Sequence, residues 1–383
     1  MAPPPLHIAG AGIAGLTAAL ALSRRGFKVC IAERADRLAE VGAGLQLSPN
    51  ASHVLEALGL GPALAKVMHR PARITLADGR SLATRAMLPA GIFAEQRWGA
   101  PYGVLHRADL QTILFDAVEA DPACDLQFGR PVSPQDRTAA VTVFADGVWS
   151  DNRRSIPGAG RLVQTRHTAW RLTLPATALP AAVDPASVSA FLGPDNHLVA
   201  YPVRQGELIN LVAITTGTMA ERNWAGNAGH DGLQQAFRRW HPDVRRLLEA
   251  TDEITCWPLH QVTDGAYHDG AARLLIGDAA HAMTPFAAQG AAMAIEDAWE
   301  LAAALAIQGP DASAQSHRQA LQHWQSARRA RIARVRRRAA LNRFAYHASG
   351  PFRLGRDLVL SRRSPQKLAA DLDWLYGWRG TEL

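Results

Sequence analysis

The sequence predicts an α/β fold in which a domain built on a parallel sheet is interrupted by an antiparallel β-rich lobe and followed by a helical tail. Three observations predict it. A glycine-rich turn at 10–15 joins a short apolar run to a helical pattern. Alternating apolar residues with turn signals occur over residues 72–84 and again from about residue 163 to residue 214. After Glu296, the pattern is helical almost to the end of the chain.

The N-terminal 33 residues have the order strand, turn, helix, strand. A short apolar strand over 6–9 precedes "GAGIAG" (Gly10–Gly15), and a helix over Leu16–Ser23 leads to the strand "FKVCIAER", which ends at Glu33. A GxGxxG turn in this context is typical of Rossmann-like dinucleotide-binding domains.

Each glycine of the turn has an expected physical role. We expect Gly10 to allow the tight turn, Gly12 to let a pyrophosphate approach the backbone, and Gly15 to let helix and strand pack closely. The N-terminus of the helix stabilises phosphate charge. Glu33 follows Gly15 by 18 residues, where a carboxylate can accept hydrogen bonds from ribose hydroxyls.

The middle of the chain predicts the β-rich lobe. "ARITLADGRSLAT" (Ala72–Thr84) alternates around an Asp78-Gly79 turn, and short strands with turns at "GPDN" and "RQGE" follow over 163–214. A helix is expected over Leu105–Val118. The chain is therefore divided into a nucleotide-binding domain (1–70, 101–162 and 265–320), a β-rich substrate lobe (71–100 and 163–264) and a C-terminal helical tail (321–383).

Bulk properties favour an ordinary globular protein. Of the 383 residues 48% are hydrophobic and 20% charged, which suits a buried core. The three cysteines (Cys30, Cys124 and Cys256) are far apart, which argues against a disulfide scaffold and a zinc site. No apolar run has the length of a membrane span and the N-terminus lacks a signal peptide's pattern, so we expect a cytoplasmic protein.

The net charge is 41 − 34 = +7, and seven of the eleven residues of Arg328–Arg338 are arginines. Such a run is compatible with nucleic-acid or acidic-membrane binding. We favour a solvated helix with a narrow apolar stripe formed by Ile332, Val335 and Ala339, and expect no nucleic-acid partner, because no known nucleic-acid module accompanies the run.

Five motifs together resemble those of the single-component (group A) FAD-dependent aromatic hydroxylases, in particular the salicylate hydroxylase-like branch. They are "GAGIAG" with Glu33-Arg34, "VGAGLQLSPNA", "HRADL", "ADGVWSDNR" and "GDAAHAMTPFAAQGAAMAIEDA". The resemblance covers most of the chain. It implies that the Rossmann-like domain binds FAD.

The resemblance carries the family's FAD contacts over residue by residue. Asp278 is expected at the ribityl hydroxyls, and the small residues Ala287, Ala288, Gly290 and Ala291 leave room for the flat isoalloxazine ring. A helix N-terminus around 289–292 stabilises negative charge on the reduced ring. His281 stands near Asp278, but no second ligand is at metal spacing, so no metal is expected. The implied contacts are Gly10, Gly12, Ala14, Gly15, Glu33, Arg34, Gln46, Arg107, Asp146, Asp278, Gln289, Gly290 and Ala291.

The implied activity is hydroxylation of a small phenolic or heteroaromatic ring, expected to carry a carboxylate. In the family, NADH or NADPH reduces the flavin transiently and O2 then forms a flavin C4a-hydroperoxide that delivers the hydroxyl. The expected partners are therefore a small aromatic substrate, O2 and NAD(P)H, for a monomer or homodimer. The choice of nicotinamide is left open.

The strand "HLVAYPV" is expected to form the substrate wall, since His197, Val199 and Tyr201 share one face. His197 is the predicted acid/base toward a phenol and Tyr201 an orienting hydroxyl, while a structural histidine is the equal alternative. Phe286 and Gln289 are further predicted pocket residues.

The match departs from the family in front of Asp146. The hairpin there is short, and Phe144 stands where the motif normally begins with glycine; we favour a trimmed peripheral turn. The open alternatives are a related monooxygenase with a larger polyketide, antibiotic or isoprenoid substrate, and a flavin-binding protein without turnover. A halogenase is disfavoured because no WxWxIP segment occurs.

Overall fold

The computed structural model of the protein describes residues 5–38, 44–132, 141–180, 183–217, 230–251, 254–309 and 313–381. The strands are β1 (Leu6–Ala9), β2 (Val29–Ala32), β3 (Gly44–Leu47), β4 (Arg73–Asp78), β5 (Thr84–Pro89), β6 (Gly103–His106), β7 (Cys124–Gln127), β8 (Thr142–Phe144), β9 (Leu162–Pro175), β10 (Val188–Gly193), β11 (Asn196–Val203), β12 (Leu208–Thr216), β13 (Thr255–Val262) and β14 (Arg273–Leu275). The helices are α1 (Ile13–Ser23), α2 (Pro49–Ala57), α3 (Gly61–Val67), α4 (Ile92–Trp98), α5 (Arg107–Glu119), α6 (His230–Phe237), α7 (Pro242–Glu249), α8 (Asp278–His281), α9 (Gly290–Ala306), α10 (Ala314–Tyr346), α11 (Gly350–Ser361), α12 (Pro365–Ala370) and α13 (Asp373–Tyr376).

A five-stranded parallel sheet forms the nucleotide-binding half, in the order β14-β8-β1-β2-β7. Its central strands are apolar because both faces are covered, and Ile8 and Ile31 are fully buried. Helix α1 packs against both β1 and α9. The predicted α/β class is confirmed, with the glycine turn at the carboxyl end of the central strand β1.

A seven-stranded sheet forms the second half, in the order β13-β9-β12-β11-β10-β4-β5. All neighbours are antiparallel except β10 and β4, which run parallel. The predicted "GPDN" and "RQGE" turns join β10 to β11 and β11 to β12. One face of β11 thereby points toward the C-terminal helices.

Three local predictions need correction. The strands over 163–214 are not all short, because β9 has 14 residues and pairs with both β12 and β13. The predicted helix over 105–118 begins only at Arg107, since Leu105 belongs to β6. The β4–β5 hairpin has a longer loop, because the Asp78 carboxylate accepts hydrogen bonds from the backbone N–H groups of Arg80 and Ser81.

The arginine-rich segment is only in part a solvated helix face, which corrects our interpretation: Arg334 and Arg337 are exposed, whereas Arg328 and Arg331 pair with buried acids. Arg328 is 2% exposed and donates to the carboxylates of Glu296 and Asp297 on α9, at 2.8 and 2.7 Å. Arg331 donates twice to Glu296 and also to the carbonyls of Trp374 and Leu375. The run therefore clamps α10 onto the nucleotide-binding half. Helix α10 begins at Ala314, so it crosses the 320/321 boundary expected from the sequence.

The expected apolar stripe of that helix is confirmed, as Ile332, Val335 and Ala339 are all buried. Phe144, the residue that departs from the family motif, is a fully buried residue of β8. Residues 133–140 of the shortened hairpin lie outside the described residues. The departure at Phe144 thus has a packing role in the core of the parallel sheet.

Candidate active site and family

The glycine turn brings α1 against β1 with no room for larger side chains at two of its positions. Gly10 has a φ of +102°, and a Cβ there would lie 2.7 Å from the Ala145 carbonyl oxygen. A Cβ at Gly15 would lie 1.9 Å from the Gly10 oxygen. At Gly12, by contrast, a Cβ would meet no protein atom within 4 Å. The surroundings of Gly10 and Gly15 agree with the tight turn and the close packing expected of them, and the role of Gly12 at a pyrophosphate stays a prediction.

Glu33 lies beside this turn at the end of β2. Its Oε2 accepts a hydrogen bond from the Ala11 N–H at 2.8 Å and its Oε1 accepts one from the Ala35 N–H at 3.0 Å. The carboxylate is only partly buried, and carboxylate oxygens have several acceptor positions. Arg34 next to it is exposed. The carboxylate is thus fixed where a ribose beside the turn could reach it.

Arg153 joins the loops that hold the two predicted aspartates. Its Nε donates to the Ala279 carbonyl at 2.7 Å and its Nη2 donates to the Val148 carbonyl at 2.8 Å. Burial lowers the pKa of this guanidinium. Its contacts with backbone carbonyls hold the segment after Asp146 next to the segment after Asp278. The sequence placed Arg153 in a motif but did not reveal this connection.

The two aspartates retain acceptor capacity. Asp146 Oδ2 accepts from the Asn152 amide at 2.9 Å, whereas Oδ1 is buried without a hydrogen-bond partner among the described residues. Asp278 is exposed at the beginning of the short helix α8. A cofactor with hydroxyl groups is the kind of ligand that satisfies such acceptors.

The N-terminus of α9 directly follows the loop of Pro285–Ala288. Gln289 precedes it, is 2% exposed, donates to the Ser48 hydroxyl at 2.9 Å and accepts from the Asn50 amide at 3.2 Å. A Cβ on Gly290 would meet no protein atom within 4 Å. The side chain of Gln289 is therefore tied to β3–α2, while Gly290 and Ala291 present the open end of the 17-residue helix. These features and the free Asp146 oxygen fit a bound FAD.

A cavity of about 640 Å³ lies between the seven-stranded sheet and the C-terminal helices. Its wall on the sheet is apolar, and so is much of the helical wall. The sheet contributes Ile74, Leu76, Leu88, Val188, Ala190, Leu192, His197 and Val199; the loop before α9 contributes Pro285, Phe286, Ala287 and Ala288. The polar and charged residues that line it are Gln46, Tyr102, His197, Arg338, Asn342, Tyr346, Arg356, Arg363, Asp371 and Tyr376. Ligand pockets commonly combine such an apolar wall with a few polar groups.

His197 lies in this wall and is paired with a histidine that the sequence did not single out. It is 3% exposed, and its Nδ1 lies 2.8 Å from Nε2 of His347 at the end of α10. The rings of Phe286 and Tyr346 pack 5.3 and 5.2 Å from it. Burial, with His347 and His167 nearby, holds the pKa of His197 well below its usual value. Both imidazoles are consequently neutral near pH 7, since burial lowers the pKa of His347 to about 4.

Tyr201 shares the strand but not the cavity. Its ring packs on β3: a Cβ added to Gly44 would lie 2.5 Å from Tyr201 Cε2, and the Gly44 N–H donates to Asn210 Oδ1 at 2.7 Å. Tyr201 is not among the described residues that line the cavity, and neither is Gln289. Their predicted contacts with substrate therefore gain no support from the cavity wall and stay predictions.

Tyr102 and Gln46 are joined at the cavity. The Tyr102 hydroxyl donates to Gln46 Oε1 at 2.7 Å, and burial raises the pKa of Tyr102 well above its usual value, so it remains a donor. Gln46 was predicted from its motif; residues 41–43 of that motif lie outside the described residues. Tyr102 was missed because a single tyrosine in a loop carries no sequence signal.

Two further residues that the sequence analysis discussed are Arg107 and His281. Arg107 is exposed at the first position of α5. His281 is buried and pairs through Nε2 with Asp297 Oδ2 at 2.5 Å. Across the described parts of the chain, no group of three or more His, Cys, Asp or Glu side chains is arranged to hold a metal ion.

Glu296 and Asp297 have a structural role beside the site that the sequence analysis missed. Both are fully buried, and together they hold Asn50, His281 and Arg328. A signal was present: two adjacent acids within an apolar helix require buried partners, since an unpaired buried charge is costly.

A family model described as "FAD binding domain" matches residues 5–142 and 135–339. The chain belongs to the family of single-component FAD-dependent aromatic hydroxylases. The predicted family and fold class are therefore confirmed, and this hydroxylase-family protein is an FAD-dependent monooxygenase.

The similar proteins extend over almost the whole chain. The 3-hydroxybenzoate 6-hydroxylase of Polaromonas naphthalenivorans (strain CJ2) is 33% identical, over 98% of this chain and 96% of that protein. The 3-amino-4-hydroxybenzoate 2-monooxygenase of Streptomyces cremeus is 36% identical, over 97% and 94%. A salicylate hydroxylase substrate complex has a TM-score of 0.77 at 23% identity, covering 99% of this chain and 96% of that one, and shares the fold.

The flavoprotein has no helix, within the segments that the structure describes, with the length and apolar character needed to cross a bilayer. Its longest helix, α10, carries the arginines of the clamp.

Proposed function

We propose that this monooxygenase hydroxylates a small phenolic or heteroaromatic ring acid, with NADH or NADPH as reductant and O2 as oxidant. The balanced reaction converts one ring C–H bond to C–OH, oxidises NAD(P)H to NAD(P)⁺ and releases one water. The observation that carries the proposal is the neutral His197 set in an otherwise apolar cavity wall beside the loop that leads to α9. The names of two similar proteins, which act on hydroxybenzoates, support this substrate class.

The proposed cofactor contacts are those of the glycine turn, Glu33, Arg34, Gln46, Arg107, Asp146, Asp278 and the start of α9. When bound, FAD takes electrons from the nicotinamide and activates O2 for transfer to the ring. The residues of this chain supply the surroundings of that chemistry. The apolar walls exclude water, which would otherwise favour side reactions that consume the reductant without hydroxylating the ring.

His197 is the proposed partner of the substrate hydroxyl. Because both imidazoles of the pair are neutral, one of the two nitrogens that meet must carry the hydrogen. With that hydrogen on His197 Nδ1, its Nε2 is an acceptor for the phenolic O–H. A hydrogen bond accepted from the phenol enriches the ring in electrons, and His347 holds the imidazole in the required tautomer.

The volume of the cavity bears on substrate size. A volume of about 640 Å³ lies within the range of roughly 300–1,000 Å³ that is common for small-molecule sites. A volume in this range suits a single-ring acid. The alternatives, a larger substrate or a flavin-binding protein without turnover, are outcomes of the same experiment.

The test is anaerobic reduction of the flavin in the holoenzyme by NADH and by NADPH, with and without a panel of hydroxybenzoates, aminohydroxybenzoates, hydroxynicotinates and uncharged phenols. We expect one ring class to accelerate reduction, and product analysis in air to show one added oxygen. Acceleration by larger polycyclic compounds alone would favour the larger-substrate alternative. A flavin that neither nicotinamide reduces under any condition would overturn the proposal in favour of binding without turnover.

A further inference from the structure

Three arginines line the cavity, and they differ in their partners. Arg356 donates to Asp357 Oδ1 at 2.7 Å and to the Ala345 carbonyl at 2.9 Å. Arg363 forms an ion pair with Asp371. Arg338 has neither: no described residue accepts a hydrogen bond from it or pairs with it, and its Nε is buried. The cavity therefore contains one positive charge that the described protein does not neutralise.

The surroundings of Arg338 supply no substitute for a carboxylate. It belongs to α10, where Arg334 one turn earlier lies over the Trp374 ring at 4.0 Å and Asn342 one turn later donates to the Phe286 carbonyl at 2.9 Å. The nearby aromatic hydroxyls are those of Tyr346 and Tyr376, which line the same cavity and remain protonated because burial raises their pKa values. A partly buried guanidinium without an acceptor is costly, so the cavity favours a ligand that carries a negative charge.

Resting on the proposed function, we propose that Arg338 binds the carboxylate of the ring substrate and so selects aromatic acids over uncharged phenols. The guanidinium fork matches a carboxylate with two parallel hydrogen bonds. Arg338 is on α10 and His197 on β11, so the acid and the hydroxyl of one ring would be held by different walls of the cavity. This makes Arg338 the residue that fixes which way round the ring binds.

The test compares a charged ligand with its uncharged counterpart on the oxidised holoenzyme. Isothermal titration calorimetry gives the Kd of 3-hydroxybenzoate and of 3-hydroxybenzamide, which differ only in the group expected at Arg338. The variants are Arg338→Met and Arg338→Lys; Arg363→Met is the matched control, because Arg363 lines the same cavity but already has Asp371.

We expect the unmodified protein to prefer the acid by about tenfold or more, as a charge-assisted hydrogen bond implies. Arg338→Met should weaken acid binding by about tenfold to a hundredfold while leaving the amide within about threefold, so that the preference disappears. Arg338→Lys should retain part of the preference, because the charge remains but the fork is lost. Arg363→Met should retain all of it.

Equal affinity of the unmodified protein for acid and amide would overturn the proposal, as would parallel loss of both ligands in Arg338→Met. Flavin content and the thermal midpoint check that each variant is folded. Should Arg338→Met lose its flavin, the Lys variant decides: an acid preference identical to that of the unmodified protein, with no weakening of acid binding, would overturn the proposed fork. Hydroxylation of uncharged phenols but not of acids would remove the role of Arg338 and the carboxylate from the proposed substrate class, and would leave the monooxygenase reaction itself standing.

Discussion

Nδ1 of His197 and Nε2 of His347 lie 2.8 Å apart, so the substrate-facing strand and the end of the longest helix meet through one imidazole pair. The two residues are 150 positions apart in sequence. The rings of Phe286 and Tyr346 contact His197, and the ring of His167 contacts His347. The acid/base group predicted from a strand pattern therefore depends on a residue of the C-terminal region.

Replacing His197 should slow hydroxylation and leave FAD bound. We expect His197→Ala to lower kcat by about a hundredfold or more, as removal of a positioned acid/base group does. The measurement is single-turnover product formation together with the flavin content of the purified protein. His323→Gln, an exposed histidine on α10, is the control for a generic histidine effect. Unchanged turnover of His197→Ala would make His197 the structural histidine of the alternative interpretation.

Replacing His347, the partner of His197, should lower kcat by an amount that depends on whether the new side chain can accept a hydrogen bond. His347→Phe keeps an aromatic ring but cannot accept from His197, so we expect a lower kcat and little change in KM. His347→Gln restores an acceptor and should recover part of the loss. A comparable loss in both variants would indicate that His347 acts through packing alone.

The same pair should make stability depend on pH. An exposed histidine in the unfolded chain titrates near pH 6.5, whereas burial lowers the pKa of His347 to about 4 in the folded protein. The unfolded state therefore binds more protons between these values, and the free energy of unfolding falls as the pH drops from about 6.5 toward 4. His347 alone accounts for up to about 3 kcal/mol of this loss.

Denaturant unfolding at pH 7.5 and at pH 5 measures this dependence. We expect the difference between the two pH values to be smaller in His347→Phe than in the unmodified protein. An equal difference would show that other groups carry the pH dependence. Arg343 and His167 face the same imidazole and contribute to its lowered pKa, so neither is a suitable control.

The arginine clamp gives a prediction for folding stability. Arg328→Met leaves Glu296 and Asp297 buried with fewer partners, and we expect it to lower the free energy of unfolding by about 3–5 kcal/mol. Arg329→Met is the matched control one residue later, since Arg329 pairs with the exposed Asp264, and it should cost at most about 1 kcal/mol. Similar losses in the two variants would contradict the distinction between a buried and an exposed pair.

The glycine turn gives a prediction that separates folding from cofactor binding. Gly15→Ala places a Cβ within 1.9 Å of the Gly10 oxygen, so it should destabilise the fold by about 1–3 kcal/mol or more. Gly12→Ala meets no protein atom within 4 Å and should weaken FAD binding without lowering the stability of the apoprotein. Thermal unfolding of the apoproteins and FAD titration measure the two effects. Equal apoprotein stability of the two variants would contradict the assigned packing role of Gly15.

The sequence predicted those parts that depend on local patterns. Gly10 and Gly15 have recognisable spacing because a strand–turn–helix unit is contiguous, and its geometry follows from a few residues. The alternation along β11 likewise placed His197 on the inward face. These features need no knowledge of distant partners.

The rest depends on contacts between segments far apart in the chain. The sequence around His347 does not indicate that this residue contacts His197. The pattern around Arg328 likewise does not indicate that it pairs with Glu296 and Asp297. A run of arginines predicts a solvent-exposed helix face unless buried acids elsewhere are taken into account, which is why the solvated-helix interpretation failed for Arg328 and Arg331. The length of the Asp78 loop was also hidden, because a side-chain carboxylate rather than the Asp-Gly pair sets it.

The order of strands in the parallel sheet bears on how the protein is made. The first strand, β1, lies between β2 and β8, and β8 in turn pairs with β14 at Arg273–Leu275. The arginines that pair with the acids at 296 and 297, Arg328 and Arg331, come later still in the chain. A nascent chain must accordingly present its glycine turn on an unfinished sheet until β14, at residues 273–275 of 383, has left the ribosome. The two acids meet their arginines only after that, so acquisition of the cofactor belongs to the later steps of biosynthesis.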